Sequence, residues 1–245
     1  MPPSPPPLPD RDISRVLCVA AHPDDLDFGA AGTIAGFVDA GLAVTCLLCT
    51  RGDQGGFDDT PREHMPEIRE AEQRAAAKAV GVSDVRFLDG FHDGWLDPTH
   101  ELQREIVRVI RQVRPDRMLI QSPERNWTRI GASHPDHLAA GEASVRAVYP
   151  AARNPFAYPE LLQDEGLEPW VVRELWLMAD PGADHVVDIT DRFDRKLAAL
   201  HAHASQTGHM EDLEAMLRGW GSHVAQSAGL PEGRLAEMFR VVHTG

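Results

Sequence analysis

Short apolar runs alternate with segments of helical spacing through most of this chain, and this alternation constrains the fold more than any other feature. The apolar runs that we predict to be strands lie at 15–21, 43–50, 85–88 and 117–122. The helices that we predict between and after them lie at 29–40, 66–80, 100–113 and 136–149. Parallel strands need long crossover connections, and helices in those connections cover both faces of the sheet.

The second half of the chain continues this pattern less regularly. Two further strands are predicted at 174–179 and 185–189, and two helices at 190–204 and about 211–225. Long surface loops are predicted at 123–135 and at 150–170, which contains four prolines. We therefore predict one α/β domain over residues 14–245, Rossmann-like, with a mostly parallel sheet and helices on both faces.

The amino-terminal residues and the net charge narrow the expected compartment and partners of the protein. Residues 1–13 are rich in proline and are predicted to form a flexible arm, without the basic and apolar regions of a secretory signal. A formal net charge of −14 repels phosphate backbones and anionic membranes, so we expect neither nucleic acid nor a membrane as partner. Three cysteines in apolar runs are predicted to be buried thiols of a cytoplasmic protein: Cys18, Cys46 and Cys49.

Two turns of similar composition follow two of the predicted strands. The first, AHPDD at 21–25, ends the first strand, and the second, GASHPDHL at 131–138, follows the fourth. Ligands of parallel sheets bind outside the carboxyl ends of the strands, which is where both turns would lie. Taken alone, each turn could be an ordinary acidic helix start. Together they offer a cluster of histidines and acids: His22, Asp24, Asp25, His134, Asp136 and His137.

Imidazole and carboxylate groups are the ligands of a catalytic zinc site, which uses three protein ligands and leaves one position for water. A carboxylate beside that water can act as general base, and a histidine can stabilise the oxyanion or protonate a leaving amine. The two turns supply enough groups for both roles, so the sequence favours a metal-dependent hydrolytic site.

These motifs resemble those of the PIG-L/LmbE-like N-acetylglucosaminyl deacetylases. The similarity covers roughly residues 14–206 and extends to TRGDQGG at 50–56, EIREAEQRAAAKAVGV at 67–82 and VVDITDRFDRKLAALHAHASQ at 186–206. The resemblance implies a zinc site, although iron(II) would suit the same ligands. The implied metal ligands are His22, Asp25 and His137.

The resemblance also implies roles for the residues around the metal. Asp24 matches the general base, and His134 matches the histidine that stabilises the oxyanion or protonates the amine. The implied second shell of the metal consists of Asp136 and of Asp27, which stands where the family usually has Glu. Contacts with the substrate are implied for Arg69, Asp93 and His203.

One departure from the family pattern concerns the oxyanion. Some members carry a tyrosine two residues before the first histidine of HPDH, and here that position is Ala132. The function that the resemblance implies is hydrolysis of the acetamide of a small molecule containing an N-acetylglucosaminyl group. Two alternatives stay open: a metal-dependent amidase acting on another amide, such as a glucosaminyl thiol conjugate, and a non-catalytic module that binds a metal or a sugar. The loops at 51–66 and 150–170 are expected to decide which acyl group fits, and a homo-oligomer stays open.

Overall fold

A sheet whose strand order is β3-β2-β1-β4-β5-β7-β6 forms the centre of the molecule. The computed structural model describes residues 4–57 and 59–245. Within those residues the sheet has seven strands, and β1 to β5 are parallel, whereas β7 runs antiparallel to both of its neighbours. The strands are β1 Arg15–Ala20, β2 Ala43–Leu48, β3 Asp84–Phe87, β4 Arg117–Gln121, β5 Glu174–Met178, β6 His185–Asp188 and β7 Ala236–His243. The predicted α/β class, with a mostly parallel sheet, is confirmed.

Helices cover both faces of the sheet, as predicted. They are α1 Asp25–Asp39, α2 Met65–Ala79, α3 His100–Val113, α4 Pro135–Arg146, α5 Pro159–Gln163, α6 Phe193–Ala202, α7 Ala204–Thr207 and α8 Leu213–Ser227. On one face, Leu17 and Val19 of β1 belong to a buried cluster with α3 and α4. On the other face, Val16 and Cys18 belong to a cluster with α1, α2 and α6. Alternate residues of one strand therefore pack into two different hydrophobic cores, one on each face of the sheet.

Strand β7 has no counterpart among the elements predicted from the sequence, which end at about residue 225. Its burial alternates in the manner of a strand, but Glu237 and Arg240 interrupt the apolar pattern. Glu237 is buried all the same, because the Lys196 ammonium lies 2.6 Å from its carboxylate. A charge that is neutralised by a distant helix cannot be distinguished in the sequence from an exposed one.

The three cysteines are buried and unpaired, which agrees with their prediction as buried thiols. Cys49 lies in the core on the α3 side, whereas Cys18 and Cys46 lie in the core on the α1 side. Among the described residues, no helix is long and apolar enough to span a membrane. The expected compartment stays a prediction.

The amino-terminal segment makes specific contacts at the edge of the sheet opposite the two His-Pro-Asp turns. The Ser4 amide donates to Asp184 (2.7 Å), and the Leu8 amide donates to Glu174 (2.8 Å). Arg117 donates to the Leu8 carbonyl at 2.7 Å and lies 2.7 Å from the Asp10 carboxylate. The predicted flexibility of residues 1–13 stays a prediction; its first three residues lie outside the described ones.

The segment 150–170 packs along α3. The buried Arg111 of α3 donates to carbonyls of this segment, including that of Asn154 at 2.9 Å, and Tyr158 donates to the His100 carbonyl at 3.1 Å. A short helix, α5, lies within the segment and buries Leu161. These contacts hold the segment on a helical layer, and its expected influence on the acyl group stays a prediction.

Candidate active site

The two His-Pro-Asp turns meet at the carboxyl edge of the sheet. The ring centroids of His22 and His134 lie 5.1 Å apart, those of His22 and His137 lie 5.4 Å apart, and those of His134 and His137 lie 5.3 Å apart. Each of the three histidines offers one nitrogen to a group whose ligand atoms lie within 4.8 Å of one another. Segments more than 100 positions apart in the chain thus build one cluster, which is the juxtaposition that the sequence predicts.

Asp25, the first residue of α1, joins two of these histidines. One of its oxygens lies 2.9 Å from His137 Nε2, and the other lies 3.4 Å from His22 Nδ1 while accepting the His22 amide at 2.8 Å. Two ligand atoms of one tetrahedral zinc ion lie about 3.3 Å apart, given bonds of about 2.0 Å. Asp25 thus lies close to both histidines, through a different oxygen for each, and the assignment of His22, Asp25 and His137 as the metal ligands stays a prediction.

The other nitrogen of His22 is held by carboxylates. His22 Nε2 lies 2.9 Å from Asp136 Oδ2 and 3.0 Å from Asp93 Oδ1. Asp136 is itself fixed by the amides of Gly94 (2.7 Å) and Leu96 (3.3 Å). Metal-bound imidazoles usually donate their second N–H to such a carboxylate, so the geometry fits the predicted second-shell role of Asp136.

The acids around His22 create a strong preference for positive charge. Burial lowers the pKa of His22, but hydrogen bonds to Asp136, Asp25 and Asp93 outweigh burial and raise it to about 12. The pKa of Asp25 lies well below its usual range, because the attraction of His137 and His22 exceeds the effect of burial. The same carboxylates would stabilise a divalent cation in place of this proton, since a histidine must lose its proton to bind a metal.

His134 caps the amino terminus of α4 and keeps one nitrogen available. Its Nδ1 accepts the Asp136 amide at 3.2 Å, so in the neutral ring the hydrogen is on Nε2. Partial burial lowers the pKa of His134, and the neighbouring His22 and His137 lower it further. A neutral imidazole with Nε2–H is a hydrogen-bond donor, so the geometry favours oxyanion stabilisation over protonation of an amine.

Asp24 has an unusual backbone conformation, with φ 85° and ψ −25° immediately before α1. Its amide donates to Gln73 Oε1 at 2.9 Å, and its carboxylate accepts from Arg69 at 3.1 Å. Burial raises the pKa of Asp24 to about 7, although the charge of Arg69 opposes the rise. A carboxyl with a pKa near neutrality, held by surrounding structure in a strained conformation, has the properties of a general base.

Arg69 is buried and enclosed by a loop of small residues. Its guanidinium donates to the carbonyls of Pro23 (2.6 Å) and Gly52 (2.9 Å) as well as to Asp24. A Cβ atom added at Gly52 or Gly55 would lie 2.1 or 2.4 Å from this guanidinium, so the glycines of the 50–56 motif make room for it. The geometry favours a role in positioning Asp24, and the implied contact with substrate stays a prediction.

Asp93 lies between the cluster of His22, His134 and His137 and the loop that follows β2. One carboxylate oxygen faces His22, and the other accepts the Gln54 amide at 3.3 Å and lies 3.8 Å from Arg69. Its own amide donates to Asp53 at 3.0 Å. Asp93 therefore links the TRGDQGG loop to His22, and its implied contact with a sugar stays a prediction.

Asp27 and His203 form a buried, hydrogen-bonded pair near Asp24. His203 Nε2 lies 2.8 Å from Asp27, and Gln73 donates to the same carboxylate oxygen at 2.9 Å. Both Asp27 and His203 are buried. Gln73 connects this pair to the Asp24 backbone, so the geometry favours indirect support of Asp24 over direct contact with a metal or a sugar. The roles implied for Asp27 and His203 stay predictions.

Gln73 is absent from the site residues predicted from the sequence. It follows Arg69 by four positions on α2, so both side chains lie on one helix face, and that spacing is the signal that could have found it. Among the described residues, neither tyrosine has a contact with the turn that contains Ala132. Of the two tyrosines, Tyr158 bonds to α3 and the Tyr149 ring stacks with Arg153.

A mostly parallel α/β sheet, a histidine and carboxylate cluster at its carboxyl edge and a carboxyl with a raised pKa beside that cluster are typical of a hydrolase with a candidate metal centre. The family model described as PIG-L, GlcNAc-PI de-N-acetylase, matches residues 17–148. The chain belongs to the PIG-L family, as its motifs indicate.

Relatives with assigned activities support the deacetylase class. The chain is 35% identical over 236 residues to a diacetylchitobiose deacetylase of Thermococcus kodakarensis, covering 96% of this chain and 85% of that protein. It is 36% identical to a probable N-acetyl-alpha-D-glucosaminyl L-malate deacetylase 2 of Bacillus cereus, covering 83% of this chain and 89% of that protein. The structure of N,N'-diacetylchitobiose deacetylase from Pyrococcus horikoshii superposes with a TM-score of 0.86 at 28% identity, covering 96% of this chain and 85% of that one.

Proposed function

We propose that this protein hydrolyses the acetamide of a small molecule containing an N-acetylglucosaminyl group, in a zinc-dependent reaction that releases acetate and a free amine. The observation that carries the proposal is the placement of Asp24 and His134 beside His22, Asp25 and His137: Asp24 interacts electrostatically with all three, and the centroid of the His134 ring lies 5.1 Å from that of the His22 ring. The named activities of the relatives, which act on diacetylchitobiose and on an N-acetylglucosaminyl malate, support this substrate class.

The metal would be held by His22, Asp25 and His137; the contacts of Asp25 with both histidines support this set. A bound zinc ion polarises a carbonyl oxygen and lowers the pKa of a water molecule to about 7. Two imidazoles and one carboxylate also suit iron(II), so zinc is the proposed metal and iron the alternative.

The chain's own residues then move one proton and stabilise one charge. Asp24 accepts a proton from the attacking water as the oxygen bonds to the acetamide carbon. The Nε2–H of His134 donates to the oxygen of that carbon, where negative charge develops. Asp24 returns the proton to the nitrogen as the C–N bond breaks, and acetate and amine leave. A pKa of about 7 allows Asp24 to act in both directions.

Acetate release tests the proposal. Metal-stripped protein would be assayed with and without added zinc on diacetylchitobiose, N-acetylglucosaminyl malate and N-acetylglucosaminyl inositol. Release that requires the metal and is lost in Asp24→Asn supports a deacetylase. Metal binding without acetate release from any member would overturn the acetyl specificity and favour another amide, such as a glucosaminyl thiol conjugate. Sugar binding that Asp24→Asn leaves intact, with no turnover of any amide, would favour the non-catalytic module.

A further inference from the structure

Exposed apolar side chains are concentrated on the loops that build the site. Among the described residues, four of the eight exposed large hydrophobic side chains follow β2, β3 or β4 at the carboxyl edge of the sheet: Phe57, Trp95, Trp127 and Ile130. The same three loops contain the glycines around Arg69, the Asp93 carboxylate and the His134 imidazole. Apolar side chains grouped beside a reactive centre are typical of a ligand surface.

Trp95 is the best anchored of the four. The amides of the residues on either side of it, Gly94 and Leu96, both donate to the Asp136 carboxylate, which also holds His22. The backbone of Trp95 is therefore fixed beside the histidine cluster. Its indole is nevertheless 79% exposed. The fold holds the backbone of this large ring in place and leaves most of the ring uncovered.

Trp127 lies on the loop that leads into the second His-Pro-Asp turn, to which Asp136 also belongs. The amide of Asn126 donates to the Ser133 hydroxyl at 2.7 Å, and Ser133 directly precedes His134. The Arg125 guanidinium lies 5.6 Å from the centroid of the indole, which is 81% exposed. The two most exposed tryptophans of the described chain are thus both anchored to the second His-Pro-Asp turn, one through Asp136 and the other through Ser133.

We propose that Trp95 and Trp127 form a carbohydrate-binding subsite that stacks on a pyranose joined to the N-acetylglucosaminyl unit. The inference rests on the proposed function and narrows its substrate to a saccharide with at least two rings. A pyranose presents C–H groups on one face, and these pack well against the electron-rich face of an indole. A flat exposed ring suits a neutral sugar, whereas an open-chain group, such as malate, offers no matching face.

Binding can be measured apart from turnover. Isothermal titration calorimetry of the zinc-loaded full chain, with Asp24→Asn in every protein so that the sugar is bound but not hydrolysed, would use diacetylchitobiose and, separately, N-acetylglucosamine. We expect Trp95→Ala and Trp127→Ala each to weaken binding of the disaccharide about tenfold and to change binding of the monosaccharide less than about twofold. Trp95→Phe, which keeps a ring, should recover most of the affinity. Tyr149→Ala is the matched control, because Tyr149 is an aromatic residue that is 63% exposed and contacts Arg153, outside the loops that build the site.

Steady-state kinetics give the second readout. In both alanine variants KM for diacetylchitobiose should rise about tenfold while kcat is unchanged. Unchanged disaccharide affinity in both variants would overturn the subsite while leaving acetate release, and so the proposed function, intact. If the wild-type protein binds the disaccharide but releases no acetate, and both alanine variants lose that binding, the subsite stands and the proposed function fails. A change of oligomeric state in light scattering, with sugar binding unaltered, would identify these rings as a subunit interface and overturn the proposal.

Discussion

The backbone at Asp24 has a φ of 85°, and two side chains of α2 hold it there. Since Asp24 is the proposed base, Asp24→Asn should lower kcat by about 100-fold or more, because the amide cannot take the proton. The variant should still bind zinc, since its ligands are untouched. Asp89→Asn is the control, because Asp89 pairs with Arg51 on the surface. Activity within about tenfold of wild type would exclude Asp24 as the base; metal content and kcat are the two measurements.

His134 is, among the predicted site residues, the neutral donor that the structure offers to the oxyanion, since both tyrosines lie elsewhere. We expect His134→Phe to lower kcat about 100- to 1,000-fold, as the loss of an oxyanion donor does in other hydrolases. KM should change little, because the interaction strengthens only in the transition state. Equal losses in kcat and in substrate affinity would instead indicate a ground-state contact.

At the scale of elements, α2 connects the site to the rest of the fold. Arg69 and Gln73 of this helix contact Asp24, and Glu72 accepts from the Ser205 amide and hydroxyl, both at 2.7 Å. The helix therefore joins the first turn to the segment after α6, which explains why the sequence motifs at 67–82 and 186–206 accompany the His-Pro-Asp turns.

Gln73→Leu tests this connection. The change removes the acceptor of the Asp24 amide and a donor to Asp27, so we expect kcat to fall about tenfold while KM stays constant. Gln103→Leu on α3 is a matched control, because Gln103 is buried and donates to the Arg146 carbonyl, away from the site. Urea unfolding of both variants would separate loss of fold from loss of positioning. A stable Gln73→Leu variant with wild-type kcat would contradict the positioning role.

At the scale of the whole molecule, local features could be predicted from the sequence and tertiary pairings could not. The strand ends and the ligand chemistry are local, so the sequence alone places His22 and His137 at one edge of the sheet. The enclosure of Arg69 depends on which helix packs beside two glycines, and the burial of Glu237 depends on Lys196 from another helix. Such pairings are decided by tertiary packing, and the hydrophobic periodicity of the sequence does not indicate them.

Stability should depend on pH through His185, at the edge of the sheet remote from the site. Burial lowers the pKa of His185, and the neighbouring Arg117 lowers it further. The folded protein then binds this proton less readily than the unfolded chain, so its stabilising contribution is present above the unfolded pKa of about 6.5 and is lost as pH falls below it. Thermal unfolding between about pH 8 and pH 5 should show a smaller loss for His185→Gln than for wild type. An equal loss of stability in wild type and in His185→Gln over this pH range would contradict the assignment of the pH dependence to His185.

The amino-terminal segment should stabilise the fold through Arg117, whose side chain is fully buried. The guanidinium lies over the Trp176 ring (4.5 Å to its centroid) and pairs with Glu174. It also donates to the Leu8 carbonyl and to the Asp10 carboxylate of the segment. Deletion of residues 1–10 removes two acceptors from a buried cation, so we expect it to lower the free energy of unfolding in urea by about 1–3 kcal/mol.

The same deletion in an Arg117→Met, Glu174→Gln background isolates this effect, because methionine needs no acceptors and glutamine leaves no unpaired buried carboxylate. We expect the deletion to cost less than half as much there as in the wild-type background. An equal cost in both backgrounds would show that the segment stabilises the protein through its apolar contacts, such as that of Leu8 with the core on the α1 side, and not through the buried charge.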